Sequence, residues 1–272
     1  MTFRAIALDL DGTLKNSQNE ITPRTRQALI DCQKRGMIVI LASGRPTPGL
    51  RHEARELELD KYHGILLSFN GANVYDLKEK KVIYEQVIEK EVADEIYDRA
   101  KKYQLGVLTY HDGKILTEDI HDEYVQLEGR INDIEIMHTT DFKASFDHPV
   151  NKVLLTGKPE YLAQIEDEFK APYVNQLSIY RSSPFFLEVM ANGIDKAASL
   201  DKLLNELCLK PSQLMAFGDG FNDISMIQYA GLGVAMANAQ DKVKEVSDVV
   251  TLSNDDDGIE KIINEYIFGG NE

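Results

Sequence analysis

Short, largely apolar runs punctuate the chain at Ala5 to Leu10, Met37 to Ala42 and Ile65 to Phe69. Runs of this length, without polar alternation, read as strands buried on both faces, as in parallel sheets. Between the first two, Ala28, Leu29 and Cys32 form one stripe at helical spacing. Thr22 fits the N-cap of that helix, Pro23 its first turn, and Gly36 the position just past its end. Strand, helix and strand in this order predict a right-handed crossover unit of an α/β fold. The pattern returns late in the chain. Ala197, Leu200, Leu203, Leu204 and Leu207 recur at helical spacing, and Gln213 to Phe217 reads as a short buried strand. A helix through Ile224 and Ile227 follows, then strands at Leu232 to Met236 and Val249 to Leu252. Ser253 fits the cap of a last helix carrying Ile259, Ile262, Ile263 and Ile267.

The middle of the chain has a different rhythm. Asp112-Gly113 is a hairpin-turn signal between the extended arms of Val107 to Thr117. Asp133 to His138, Lys152 to Thr156, Gln176 to Arg181 and Phe185 to Met190 also read as strands. Helical stripes pass through Val92, Ile96, Ala100 and Tyr103, and through Leu162, Ile165 and Phe169. We therefore expect an α+β domain inserted over residues 84–190 into an α/β core made of residues 1–83 and 191–272.

Composition narrows the partners. The chain has 272 residues, 43% hydrophobic and 28% charged, with a formal net charge of −15. That balance argues against a nucleic-acid or anionic-membrane partner, which calls for a basic face. No apolar run approaches the roughly 18–20 residues of a membrane span, and the first residues lack the pattern of a signal peptide. Cys32 and Cys208 both read as buried, reduced thiols. A cytoplasmic location is expected.

The candidate chemistry sits at strand ends. Asp9 and Asp11 follow the first strand and precede Gly12-Thr13. Carboxylates two residues apart on extended backbone face the same side. They repel one another unless a cation or a shared proton relieves the charge. Mg²⁺ suits such hard oxygens and leaves positions open for phosphate and water. Ser43-Gly44-Arg45 follows the second strand, where a hydroxyl and glycine N–H groups suit an anion. Asp195 reads as an N-cap, which puts Lys196 in the first helical turn, against the helix dipole. Gly218-Asp219-Gly220-Phe221-Asn222-Asp223 follows another buried strand, and turn chemistry alone does not call for its two aspartates. Asp255-Asp256-Asp257 reads as solvated charge at a helix N-terminus.

Taken in order, Asp9-Leu10-Asp11-Gly12-Thr13, Ala42-Ser43-Gly44-Arg45, Lys196 and Gly218 to Asp223 resemble the four signature motifs of the haloacid dehalogenase superfamily of phosphatases. The Cof-like branch, with a cap inserted between the second and third motifs, is the nearest match, and Asn70-Gly71-Ala72 resembles it too. Ser43 stands where many relatives have threonine, and Ala197 where relatives often have glycine. The resemblance implies a Rossmann-like α/β core with a parallel sheet and an inserted α+β cap. It implies that Asp9 is the nucleophile, forming an aspartyl-phosphate, and that Asp11 is the general acid and then the general base. It implies Mg²⁺ held by Asp9, the backbone carbonyl of Asp11, and Asp219, with Asp223 supporting its waters. Ser43 and Lys196 are implied to hold the phosphoryl oxygens, with backbone N–H groups of Leu10 and Gly44 and the amide of Asn222 nearby. The implied activity is Mg²⁺-dependent hydrolysis of small phosphorylated metabolites, such as sugar phosphates or nucleotides.

Two other readings share these motifs. A phosphomutase of the phosphomannomutase type would return an isomerised ester, whereas a phosphatase releases inorganic phosphate. A non-catalytic metabolite-binding protein would bind without turnover, although loss of Asp9 or Asp11 would be its usual mark. The six histidines pair at no metal-ligand spacing and read as surface or cap residues. Tyr110, Tyr180 and Phe185 are candidates for a substrate-facing surface of the insertion.

Overall fold

The computed structural model describes residues 3–269. In chain order it forms β1 (Ala5–Leu8), α1 (Pro23–Lys34), β2 (Ile38–Ala42), α2 (Arg51–Glu56), β3 (Ile65–Ser68), β4 (Asn73–Asp76) and β5 (Lys81–Glu85). There follow α3 (Lys90–Lys102), β6 (Gly106–His111), β7 (Lys114–Thr117), α4 (Glu123–Asn132), β8 (Ile136–His138), β9 (Lys152–Thr156), α5 (Pro159–Lys170), β10 (Leu177–Ser183) and β11 (Phe186–Ala191). The chain closes with α6 (Lys196–Glu206), β12 (Leu214–Gly218), α7 (Ile224–Tyr229), β13 (Leu232–Ala235), α8 (Asp241–Val246), β14 (Val249–Val250) and α9 (Gly258–Tyr266). The contacts divide these into two units. One comprises the chain up to Arg45, Leu50–Tyr84 and the chain from Asp195 on; the other comprises Pro46–Gly49 and Glu85–Ile194.

The first unit is built on an eight-stranded sheet in the order β14-β13-β12-β1-β2-β3-β4-β5. From β14 to β3 the pairing is parallel, and β4 runs antiparallel to β3. Alternation along each strand feeds two cores. Ile6, Leu8, Val39, Leu41, Met215 and Phe217 face one side with Leu29, Ile259 and Ile263. Ala5, Ala7, Ile40, Ala42 and Ala216 face the other, where small residues admit Leu200, Leu203 and Leu204 of α6.

Register is what places the site. Leu8 pairs with Leu41 on one side and Phe217 on the other. Asp9, Ala42 and Gly218 therefore emerge side by side at the C-terminal edge. The strand order also reverses there, because β1 to β3 spread one way and β12 to β14 the other. Open parallel sheets bind ligands at such a switch point.

Thr22 caps α1, accepting from the Thr25 N–H, and Gly36 lies just beyond with φ +82°. Other sequence expectations are corrected. The first strand ends at Leu8, since the chain turns back through Leu14 N–H to Asp9 O and Lys15 N–H to Leu10 O. Ser253 does not cap the last helix. Its carbonyl accepts from Asp256 and Gly258 N–H groups, and Asp257 leads into α9 at φ 57°. The acidic run precedes the last helix with Asp255 and Asp256 exposed, as expected of solvated charge, and it also makes ties: Asp255 accepts from Ser17 N–H, Asp256 from Ser253, and the half-buried Asp257 from the Thr22 and Thr25 hydroxyls. Cys208 is exposed, at φ 54° in the turn after α6, whereas Cys32 is buried; both are free.

The second unit has a six-stranded sheet in the order β10-β11-β9-β6-β7-β8, antiparallel except between β7 and β8. Val107, Val153, Leu155, Leu187 and Val189 pack against Ile96, Ala100, Leu162 and Phe169 of α3 and α5. Leu108, Ile115 and Leu154 on the opposite face pack with Val125 of α4. Asp133 belongs to no strand; it ends α4 in the left-handed region at φ 53°.

Candidate active site

Lys196 lies in the first turn of α6, placed by Asp195, whose carboxylate accepts from the Ala198 N–H. It is not a solvated lysine: its side chain is 0% exposed. Its ammonium donates to Asp9 Oδ1 at 2.7 Å, Ala42 O at 2.7 Å and Asp223 Oδ1 at 2.6 Å. These three acceptors use its full donor capacity. Each comes from the end of a different strand or the turn after it, so one charge ties together three distant segments.

Asp9, Asp219 and Asp223 each offer a carboxylate oxygen within 4.8 Å of the others. One ammonium cannot balance three such groups. Burial, and then the charge of Asp223, push Asp9 up to about 8 despite Lys196. Asp219 is also raised, chiefly by burial, against the Thr13 hydroxyl, which donates to it at 2.8 Å. Lys196 is raised by the two carboxylates, Asp9 and Asp223, which outweigh its burial. Excess buried negative charge on hard oxygens fits a divalent cation. Both oxygens of Asp223 are already engaged: Oδ2 accepts from the Asp219 and Gly220 N–H groups at 3.0 and 2.9 Å. Asp223 thus braces Asp219 and Lys196 from behind.

Asp11 points to a separate partner. Arg45 donates to both its oxygens, Nε at 2.8 Å and Nη2 at 2.6 Å, a bidentate pair at the solvent edge. Arg45 and Thr13 lie within the motifs, but nothing in the sequence singles them out as site residues. The signal available was the need of an acidic protein for local positive charge.

Ser43 is buried, and its hydroxyl accepts from the Arg45 N–H at 3.1 Å. Asn70 N–H donates to Ser43 O, Phe69 N–H to Arg45 O, and the Asn222 amide to Asn70 Oδ1. The Asn70 segment therefore clasps the turn after β2. Phe69 and Asn70 hold φ of 52° and 56°, a backbone strain of about 1–3 kcal/mol each. Close approach also fixes Gly12: at φ +89°, an added Cβ would meet Asp219 Oδ2 at 2.5 Å. Leu10 is fully buried, and Gly44 lies against the Asn70 amide. All these residues belong to the first unit. Tyr110, Tyr180 and Phe185 belong to the second, where the two hydroxyls donate to Glu128 and Glu188 and Phe185 stacks on Tyr124.

The fold agrees with what comparison finds. A family model described as haloacid dehalogenase-like hydrolase matches residues 6–263, and the chain belongs to that family. It is 32% identical to a 5-amino-6-(5-phospho-D-ribitylamino)uracil phosphatase of Bacillus subtilis, over 97% of this chain and 96% of that one. A haloacid dehalogenase-like hydrolase from Bacteroides thetaiotaomicron superposes with a TM-score of 0.94 at 42% identity, covering 97% of this chain and 99% of its own. A solved HAD subclass IIB sugar phosphatase superposes with a TM-score of 0.78 at 26% identity, covering 97% and 98%. Among the described residues, no helix is long and apolar enough to cross a membrane.

Removing the shared ammonium leaves two buried carboxylates without countercharge. Lys196→Met is expected to lower unfolding stability by about 3–5 kcal/mol in urea denaturation at pH 8. A loss below about 1 kcal/mol would show that the ammonium does not carry the network.

Proposed function

We propose that this chain is a Mg²⁺-dependent phosphoric monoester hydrolase that releases phosphate from small phosphorylated metabolites, sugar phosphates or nucleotides, through an aspartyl-phosphate on Asp9. The observation that carries this reading is Asp9 held at the switch point by Lys196, among carboxylates that outnumber the local positive charge. The relatives support the substrate class, since by name one acts on a phosphorylated ribitylamino compound and another on sugar phosphates. A free, exposed Cys208 thiol suits a reducing compartment, and we place the enzyme in the cytoplasm.

Asp9, Asp219 and the backbone carbonyl of Asp11 would hold Mg²⁺, with Asp223 behind them. When bound, the ion masks the repulsion between an anionic nucleophile and an anionic ester. Lys196 keeps Asp9 fixed and favours its ionised form. The Asp9 carboxylate attacks phosphorus in line, and the bond to the leaving oxygen breaks as Asp11 protonates that oxygen. Asp11 then takes a proton from the water that attacks the phosphorus of the aspartyl-phosphate, freeing Asp9 and inorganic phosphate. Ser43, Lys196 and the N–H groups of Leu10 and Gly44 hold the equatorial oxygens, with the Asn222 amide nearby, the ammonium exchanging one of its present acceptors for the phosphoryl group.

Asp9→Asn is expected to reduce Mg²⁺-dependent phosphate release from p-nitrophenyl phosphate to background. Retained turnover would contradict the nucleophile assignment.

A second expectation concerns pH. Folding raises Asp9 from 3.8 to about 8 in the metal-free protein. Its stabilising contribution is therefore full below 3.8 and lost as pH rises towards 8. A cation competes with that proton. Adding Mg²⁺ after chelation should raise Tm more at pH 8 than at pH 5, and equal increments would argue against Asp9 as a ligand.

A further inference from the structure

A second, buried ion pair also joins the turn after β1 to the chain that follows β2. Lys15 Nζ donates to Glu53 Oε1 at 2.7 Å, with the side chains only 7% and 3% exposed. Lys15 closes the turn that carries Asp9 and Asp11: its N–H donates to Leu10 O, and its carbonyl accepts from the Asn254 amide. Glu53 lies on α2, just beyond the segment that carries Ser43 and Arg45. Charges are crossed between the loops. The first supplies an acid at Asp11 and a base at Lys15; the second supplies a base at Arg45 and an acid at Glu53.

The inner pair is a poor device for stability. Buried ion pairs are often matched or bettered by apolar residues of similar volume. This one is incompletely satisfied as well, since Glu53 Oε2 is buried with no hydrogen-bond partner among the described residues. A pair that stabilises weakly yet fixes register has its effect in specifying geometry.

We propose that Lys15 and Glu53 are positioning residues, which lock the turn of residues 9–15 against α2 so that Asp11 meets Arg45 and the reacting oxygen. The rate consequence rests on the phosphatase reading; the positional consequence does not.

Lys15→Met with Glu53→Leu replaces the pair by apolar side chains and should keep the fold. Three quantities decide the proposal: Tm, the kinetics of p-nitrophenyl phosphate hydrolysis, and amide hydrogen exchange over residues 9–15. The expected result is a near wild-type Tm, a kcat lower by about tenfold or more with KM little changed, and faster exchange across the turn. Glu53→Gln, which keeps shape and an acceptor, should show the same rate loss in smaller measure, and it replaces the double variant if that fails to fold. Wild-type kcat together with wild-type exchange in the apolar variant would overturn the proposal, because a merely structural pair is replaceable. If the unmodified protein releases no phosphate, the phosphatase reading fails, and exchange alone decides: lost protection supports the lock and unchanged protection refutes it.

Discussion

The buried ammonium of Lys196 organises the strand ends of the first unit. Lys196 reaches Asp9, the Ala42 carbonyl and Asp223 at once. Those acceptors lie far apart in sequence and meet only because β1, β2 and β12 are parallel neighbours in fixed register. The small residues Ala5, Ala7, Ala42 and Ala216 let α6 approach the sheet, and the Asp195 cap sets where that helix begins. Packing, capping and sheet topology thus converge on the position of one nitrogen. Buried charge is costly unless it is paired and fully hydrogen-bonded, and this one is.

The arrangement stays short of positive charge. Three clustered carboxylates share one lysine, and burial raises Asp9 and Asp219 rather than letting them ionise freely. The fold maintains this imbalance with strained or tightly confined backbone. Gly12 passes against Asp219, and Phe69 and Asn70 both sit in the left-handed region. Such features persist where surrounding structure over-determines them, and here they ring the same strand ends. Asp11 stands apart from the cluster at the solvent edge, held by Arg45. Environment separates the two motif aspartates: one is buried and held by Lys196, the other half-exposed and held by Arg45.

Much of this was legible because it is written in local pattern. Unbroken apolar runs located β1, β2, β3 and β12. Thr22, Gly36 and Asp195 marked helix boundaries, and the strand-end acids stood out against ordinary turn chemistry. The rest depends on tertiary contacts. Arg45, Thr13, Lys15 and Glu53 are common residue types whose significance lies in a partner distant in sequence. The ties made by Asp255 and Asp257 were hidden for the same reason, since Ser17, Thr22 and Thr25 come from the other end of the chain. Ser253 had the chemistry of a cap but not its backbone, and Cys208 had apolar neighbours in sequence but an exposed turn in space. Short elements such as α2 and α8, and the largely exposed β5, carry too little periodicity to be seen.

The central claim is that Asp9 itself accepts the phosphoryl group. Rapid acid quench during turnover, followed by borohydride reduction, converts an aspartyl-phosphate to homoserine, which mass spectrometry can locate. The account predicts homoserine at position 9, formed only with substrate present and absent from Asp9→Asn. Turnover without homoserine at that position, or with the modification on another aspartate, would contradict it.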